Sequence, residues 1–163
     1  MPNDLVVQEG QGGKLFLKRF ILWPKQWTKY PARVPLIWSH IRYRQQNFRR
    51  LPNVRGVYAF VVKPGIAALR NCNYLMYVGK ALDQTLRTRC PQYLAEEKLL
   101  KGRPRIKELL ANWRTHLFLC FASVGGPKTN VTKAENDLLA AFLPPCNTRF
   151  PGRLSAIANI ING

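Results

Sequence analysis

Acidic side chains are scarce in this chain: 8 Asp and Glu stand against 26 Lys and Arg in 163 residues, a formal net charge of +18 with a pI near 10.5. So lopsided a balance draws polyanions, either nucleic acid or an anionic membrane surface, and nucleic acid leads. Long hydrophobic runs are missing as well. No stretch of about 20 apolar residues is present to cross a bilayer. Residues 1–13 are polar and glycine-rich, without the charged start and apolar run of a secretory signal. Paired cysteines are absent too: Cys72, Cys90, Cys120 and Cys146 are widely spaced with no C-x-x-C unit, which argues against a zinc ribbon or a redox motif. No zinc-finger or helix-turn-helix pattern is there to read bases. The expectation left by these absences is a soluble, cytoplasmic protein with reduced thiols and no membrane partner.

What is present is a core. Hydrophobic residues make up 47% of the chain and aromatic residues 11%, enough for a folded domain. The pattern divides into a basic N-terminal extension over residues 1–50, with a flexible start and later segments packing on the core, a compact domain over 51–150, and a tail over 151–163. In the extension, residues 36–51 are predicted as a helix, with Ile37, His40, Ile41, Arg44 and Phe48 on one side. Strands are predicted at 56–62, ended by Pro64-Gly65, at 74–78, and at 116–124. The first two are joined by a loop without a long helix, which suggests an antiparallel pair. In the third, Leu117, Leu119 and Phe121 alternate with Phe118, Cys120 and Ala122, so it is apolar on both faces and belongs in the centre.

Helical patterns fill the remainder. Asp83 is a candidate cap for a segment through Leu86 and Tyr93 that Pro91 interrupts. Residues 104–115 carry the apolar stripe Ile106, Leu109, Leu110 and Trp113. Residues 131–142 present Leu138, Leu139 and Phe142 as a packing face before Pro144-Pro145 stops them. The fold class is therefore α/β of the α+β kind. Arg42, Arg44, Arg49 and Arg50, then Arg55, Arg87, Arg103, Arg105 and Lys107, are the candidate contacts for a phosphate backbone.

One series of motifs ties these elements together. It runs Leu51-Pro52-x-x-x-Gly56-Val57-Tyr58-x-Phe60, Leu75-Met76-Tyr77-Val78-Gly79-Lys80-Ala81, Leu86-Arg87-x-Arg89 and Tyr93, and continues with Glu135 on a helix and Pro144-Pro145-Cys146-Asn147. Over roughly residues 51–149 it resembles the GIY-YIG endonuclease family. That resemblance implies a small three-stranded antiparallel sheet flanked by helices, and a metal-dependent endonuclease that hydrolyses DNA. The implied site is Tyr58, Tyr77, Lys80, Arg89, Tyr93, Glu135 and Asn147.

Phosphodiester hydrolysis gathers negative charge on the phosphoryl oxygens, so it calls for a fixed guanidinium and a divalent cation. Arg89 is expected to supply the first, and Glu135 to hold a single Mg²⁺ or Mn²⁺. Strict counting from Gly79 would choose Arg87 instead. Water is the expected nucleophile, with Tyr58 as base and Tyr77 as its partner, or the reverse. Lys80, Arg89 and the metal are expected to lower a phenol pKa from about 10. Tyr93 falls one turn after Arg89 if the helix is continuous. Asn147 either bonds the backbone of the site or caps the chain's exit. DNA, duplex or structured, is the expected partner; single-stranded DNA and RNA stay open, as do monomer and homodimer. The alternative is a non-catalytic nucleic-acid-binding module on the same fold.

Overall fold

Four extended segments rich in β-branched and aromatic residues build the sheet, the second of them buried along nearly its whole length. The structure, a computed structural model, describes residues 16–98 and 102–157. The start expected to be flexible, residues 1–13, and the end of the tail lie outside the described residues. Strands β1 (Ser39–Arg42), β2 (Gly56–Val62), β3 (Tyr74–Ala81) and β4 (Leu117–Ser123) form one antiparallel sheet in the order β1-β4-β2-β3. β4 is central, as its two apolar faces require. Leu117, Leu119 and Phe121 enter one core cluster, while Cys120 and Ala122 join the other.

The sheet has four strands where three were expected, and the predicted helix over residues 36–51 does not form. β1 and a 3-10 helix, Gln45–Arg50, take its place. Ile41 and Tyr43 are buried while Arg42 and Arg44 point outward, which is the period of two of a strand. Pairing with β4 satisfies the β1 backbone, and the Tyr43 hydroxyl donates to the Cys90 carbonyl at 2.7 Å. Ile37 and His40, placed on the apolar side of that helix, are exposed.

Helices cover both faces. On the face of Tyr58 and Phe60 lie α2 (Leu86–Arg89), α3 (Tyr93–Glu96) and α4 (Pro104–Trp113), contributing Leu86, Tyr93, Ile106, Leu109 and Leu110. On the face of Val57, Ala59 and Val78 lies α5 (Lys128–Phe142), through Val131, Ala134, Leu138 and Leu139. Phe142 is not part of that packing face and is 46% exposed. Helix α5 ends on Leu143 in the left-handed conformation, φ 44°, and the Leu143 side chain takes the buried place.

Pro91 does not break the chain's helical course. It sits in a 3-10 turn, Cys90–Gln92, that joins α2 to α3, and the backbone from Arg89 to Tyr93 stays right-handed. The cap of α2 is Thr85, whose hydroxyl accepts from the Thr88 N–H at 3.3 Å. Asp83 is exposed and pairs with Lys128 at 2.7 Å instead.

The described residues ahead of β1 pack on the rest of the fold, and β1 itself, placed in the extension by the sequence, is a strand of the sheet. Beyond a short helix α1 (Pro24–Trp27), Ile21, Trp23, Tyr30, Val34 and Leu36 lie against the core under α5. Lys18 pairs with Glu108 at 2.6 Å, and Arg33 pairs with the buried Asp137 of α5. Among the described residues no helix is long and apolar enough to cross a membrane.

Candidate active site

The register of β2 and β3 brings the tyrosines together. Tyr58 lies opposite Gly79 and Phe60 opposite Tyr77, so both phenols project from one face. Gly79 leaves the room this requires: a Cβ there would sit 2.7 Å from Cζ and Oη of Tyr58. The continuous helical course past Pro91 then delivers Tyr93 between them. Its hydroxyl is 2.6 Å from that of Tyr58 and donates to that of Tyr77 at 3.3 Å, linking three phenols in a row.

Two guanidinium groups flank this row. Arg89 donates to the Tyr93 hydroxyl at 3.3 Å, and Arg103 to the Tyr77 hydroxyl at 3.0 Å. Their central carbons stand 4.8 and 5.0 Å from the centre of the Tyr93 ring. Gln92 holds Arg89 at 2.9 Å, and Glu96 holds Arg103 in an ion pair at 2.7 Å. Arg87 is occupied elsewhere. It donates to the carbonyls of Leu51 at 2.7 Å and Arg49 at 3.3 Å, bolting α2 to the chain ahead of β2. The arginine of this pair that meets the tyrosines is therefore Arg89.

A cleft of about 890 Å³ runs along the outer edge of β3, between the start of α4 and the middle of α5. Tyr77, Lys80, Arg103, Glu135 and Asn147 line it. Tyr58 and Tyr93 lie behind Tyr77, 1% and 0% exposed. Lys80 alternates to the opposite face of the sheet from the tyrosines and meets Glu135 of α5 at 2.7 Å. The cleft thus wraps around the strand edge, with a phenol on one side and a carboxylate on the other.

That edge is sealed by the chain after α5. The Asn147 carboxamide accepts from the Val78 N–H at 2.9 Å and donates to the Val78 carbonyl at 2.8 Å, standing in for a neighbouring strand. The Cys146 N–H adds a bond to the Met76 carbonyl at 2.9 Å. Of the two roles expected for Asn147, the structure gives the bond to the site's backbone.

The electrostatics depart from expectation. Burial raises the Tyr58 pKa well above its ordinary value, and neighbouring Tyr93 and Tyr77 add to the rise against the opposing charge of Arg89. Burial raises Tyr77 as well, with Arg103 opposing. Removing a phenolate from water outweighs the guanidinium groups placed beside it, so the protein's own cations do not lower these values. Burial also pushes the Cys90 thiol up to about 12 and the Cys146 thiol up to about 11, which keeps both protonated near neutral pH.

The remaining candidates are scattered. Arg42, Arg44, Arg49 and Arg50 are exposed on β1, the bend after it and the 3-10 helix. Arg55 reaches the Gly126 carbonyl at 3.4 Å. Arg105 donates to the Asn147 carbonyl at 3.1 Å and so braces the sealing segment, while Lys107 lies half-buried on α4. Arg103, read from the sequence only as a backbone contact, belongs to the tyrosine row. Its partner Glu96 was missed altogether, because a single carboxylate on a helix carries no local signal of such a role.

Glu135 is the acidic side chain lining the cleft, and among the described residues no three His, Cys, Asp or Glu side chains gather as a metal cluster. One carboxylate facing an open cleft fits a Mg²⁺ that keeps most of its waters, once Lys80 yields its place. No protein-family model matches the chain, and neither a curated protein nor a solved structure matches it.

Proposed function

We propose that the protein is a metal-dependent endonuclease of the GIY-YIG type, hydrolysing DNA phosphodiester bonds in the cleft along β3. The observation that carries this reading is the row of three linked phenols, flanked by Arg89 and Arg103, with only Tyr77 opening onto a cleft that also holds Lys80 and Glu135. The net charge of +18 supplies the attraction for a polyanion.

A water enters beside Tyr77 and attacks the phosphorus, and the bond to the leaving oxygen breaks, that oxygen taking a proton from solvent. Tyr77, as its phenolate, orients that water and takes its proton to become the neutral phenol, and Tyr58 is its support; of the two assignments open in the sequence this is the second, because Tyr58 is sealed from the cleft. The Tyr93 hydroxyl and Arg103 both donate to the Tyr77 oxygen, so both stabilise the phenolate that must form before it can accept the proton. Arg103, which lines the cleft, balances negative charge gathering on the phosphoryl oxygens, while Arg89, outside that lining, anchors Tyr93 behind Tyr77. Glu135 would hold Mg²⁺ or Mn²⁺, which when bound supplies positive charge against the phosphate. Lys80, released from Glu135, turns to the phosphate backbone.

The test is cleavage of supercoiled plasmid in Mg²⁺ by the parent chain, Arg89→Ala and Tyr77→Phe, with binding measured in parallel. Losses of about 10² to 10³ in rate with binding retained are expected. Undiminished cutting by both variants would sink the proposal. A binding module without catalysis is favoured by the high phenol pKa values and by the Lys80–Glu135 ion pair. It predicts salt-sensitive binding and no metal-dependent cutting by the parent chain.

A further inference from the structure

A second basic groove lies at the far ends of the strands, away from the cleft. Cross-strand register places Arg42 of β1 directly opposite Phe118 of β4, and Val61 of β2 on its other side. Two backbone bonds prolong the ladder, Tyr43 N–H to the Leu117 carbonyl and Lys63 N–H to the His116 carbonyl, both 2.9 Å. Arg42 and Lys63 are thereby brought over the Phe118 ring, at 5.4 and 4.8 Å from its centre. The ring acts as a shelf that holds two cations in place.

Arg44 and Arg70 join them around a groove of about 630 Å³ whose lining contains no acidic residue. Among the described residues none of these four cations forms an ion pair. In an ordinary solvated face, basic side chains are interspersed with acidic ones. Here the positive groups converge on one concavity and one ring. A stacked base needs an open ring face, and Arg42 and Lys63 stand over the Phe118 ring in that position, which points to recognition of phosphates rather than of bases.

The groove is placed to reach the same ligand as the cleft. Phe118 lies opposite Val61 and the cleft's Lys80 opposite Val57, on one sheet face; Lys63 is six residues beyond Val57, and at about 3.3 Å per residue the separation along the strand is roughly 20 Å, the axial rise of about six base pairs. We propose that this groove is a second nucleic-acid contact, gripping the phosphodiester backbone about six base pairs from the bond held in the cleft, without reading sequence. The inference rests on the nucleic-acid reading of the chain and adds the location and stoichiometry of a separate backbone contact.

The experiment uses the full chain carrying Glu135→Gln, so that a bound duplex stays intact, and follows binding to a short labelled DNA duplex across about 50 to 200 mM salt. One variant adds Arg42→Ala, Arg44→Ala, Lys63→Ala and Arg70→Ala. A charge-matched control instead adds Lys25→Ala, Lys29→Ala, Lys98→Ala and Lys133→Ala, four exposed lysines outside the groove. Four lost phosphate contacts make the slope of log affinity against log salt shallower by about 3.6, so the groove variant loses about a hundredfold less affinity over that range than its parent. The control keeps a slope within about one of the parent. Equal effects in groove variant and control, or an unchanged slope in the groove variant, overturn the inference while leaving the catalytic reading standing. A parent chain with no salt-dependent binding overturns both. Arg42→Gln with Arg70→Gln, at two exposed positions, gives half the effect and serves if the fourfold variant fails to fold.

Discussion

Replacing Asn147 by Ala removes the side chain that closes the edge of β3. Val78 then loses partners for both its N–H and its carbonyl, bonds of 2.9 and 2.8 Å in a buried setting. Each buried polar group left unpaired costs about 1–3 kcal/mol. Asn147 lines the cleft, so some water reaches the freed groups, and the lower half of the range applies: about 2–4 kcal/mol for the two together. In a chain of this length that is a fall of about 5–15 °C in the melting midpoint. Denaturant titration should show a lower midpoint at an unchanged slope. Asn147→Asp keeps an acceptor for the Val78 N–H and loses the donor to its carbonyl, so it should fall between the parent and the Ala variant. Thr148→Ala, at an exposed neighbour, is the control. A loss below about 0.5 kcal/mol for Asn147→Ala would refute the edge-closing role.

Other consequences follow from the tyrosine row. Gly79→Ala puts a Cβ 2.7 Å from the Tyr58 ring, which the bond to Tyr93 holds in place. A loss of about 1–3 kcal/mol with slowed cleavage is expected, and unchanged stability would show that the ring moves freely. With Tyr77 as base and its pKa raised, the cleavage rate should climb about tenfold per pH unit above neutrality; a plateau near pH 7 would contradict the assignment. Tyr58, Tyr77, Cys90 and Cys146 all have raised pKa values. The folded chain therefore holds those protons more tightly than the unfolded one. The stability they contribute is full below about pH 8.5, the unfolded thiol value, and is lost as pH rises through the raised values. Denaturant midpoints measured upward from about pH 8 should fall steadily, and a flat profile would contradict the burial of these groups.

The sequence is a good guide to this fold where a pattern is local and unambiguous. The strands through Tyr58, Tyr77 and Phe121 and the helices through Leu109 and Glu135 are legible from alternation, apolar stripes and Gly or Pro punctuation. β1 is misread because Ile37, His40, Ile41 and Phe48 trace a helical face as readily as Ile41 and Tyr43 trace a strand. Pairing with β4, a contact between residues far apart in the chain, decides between them. The site shows the same division. Tyr58, Tyr77, Arg89 and Tyr93 do come together, but their depth is set by strand register and by helices packed above them. That is why no spacing rule shows that Tyr58 is sealed away, or that Arg103 and Glu96 complete the row.

The most direct test of the endonuclease account is a Mg²⁺ titration of single-turnover cleavage on supercoiled plasmid, comparing the parent chain with Glu135→Gln. The account predicts saturable, Mg²⁺-dependent nicking by the parent, a loss of at least about a hundredfold in the variant, and equal DNA binding by both. Cleavage by Glu135→Gln at the parent's rate, or a parent that binds DNA and never cuts it at any Mg²⁺ concentration, would contradict it.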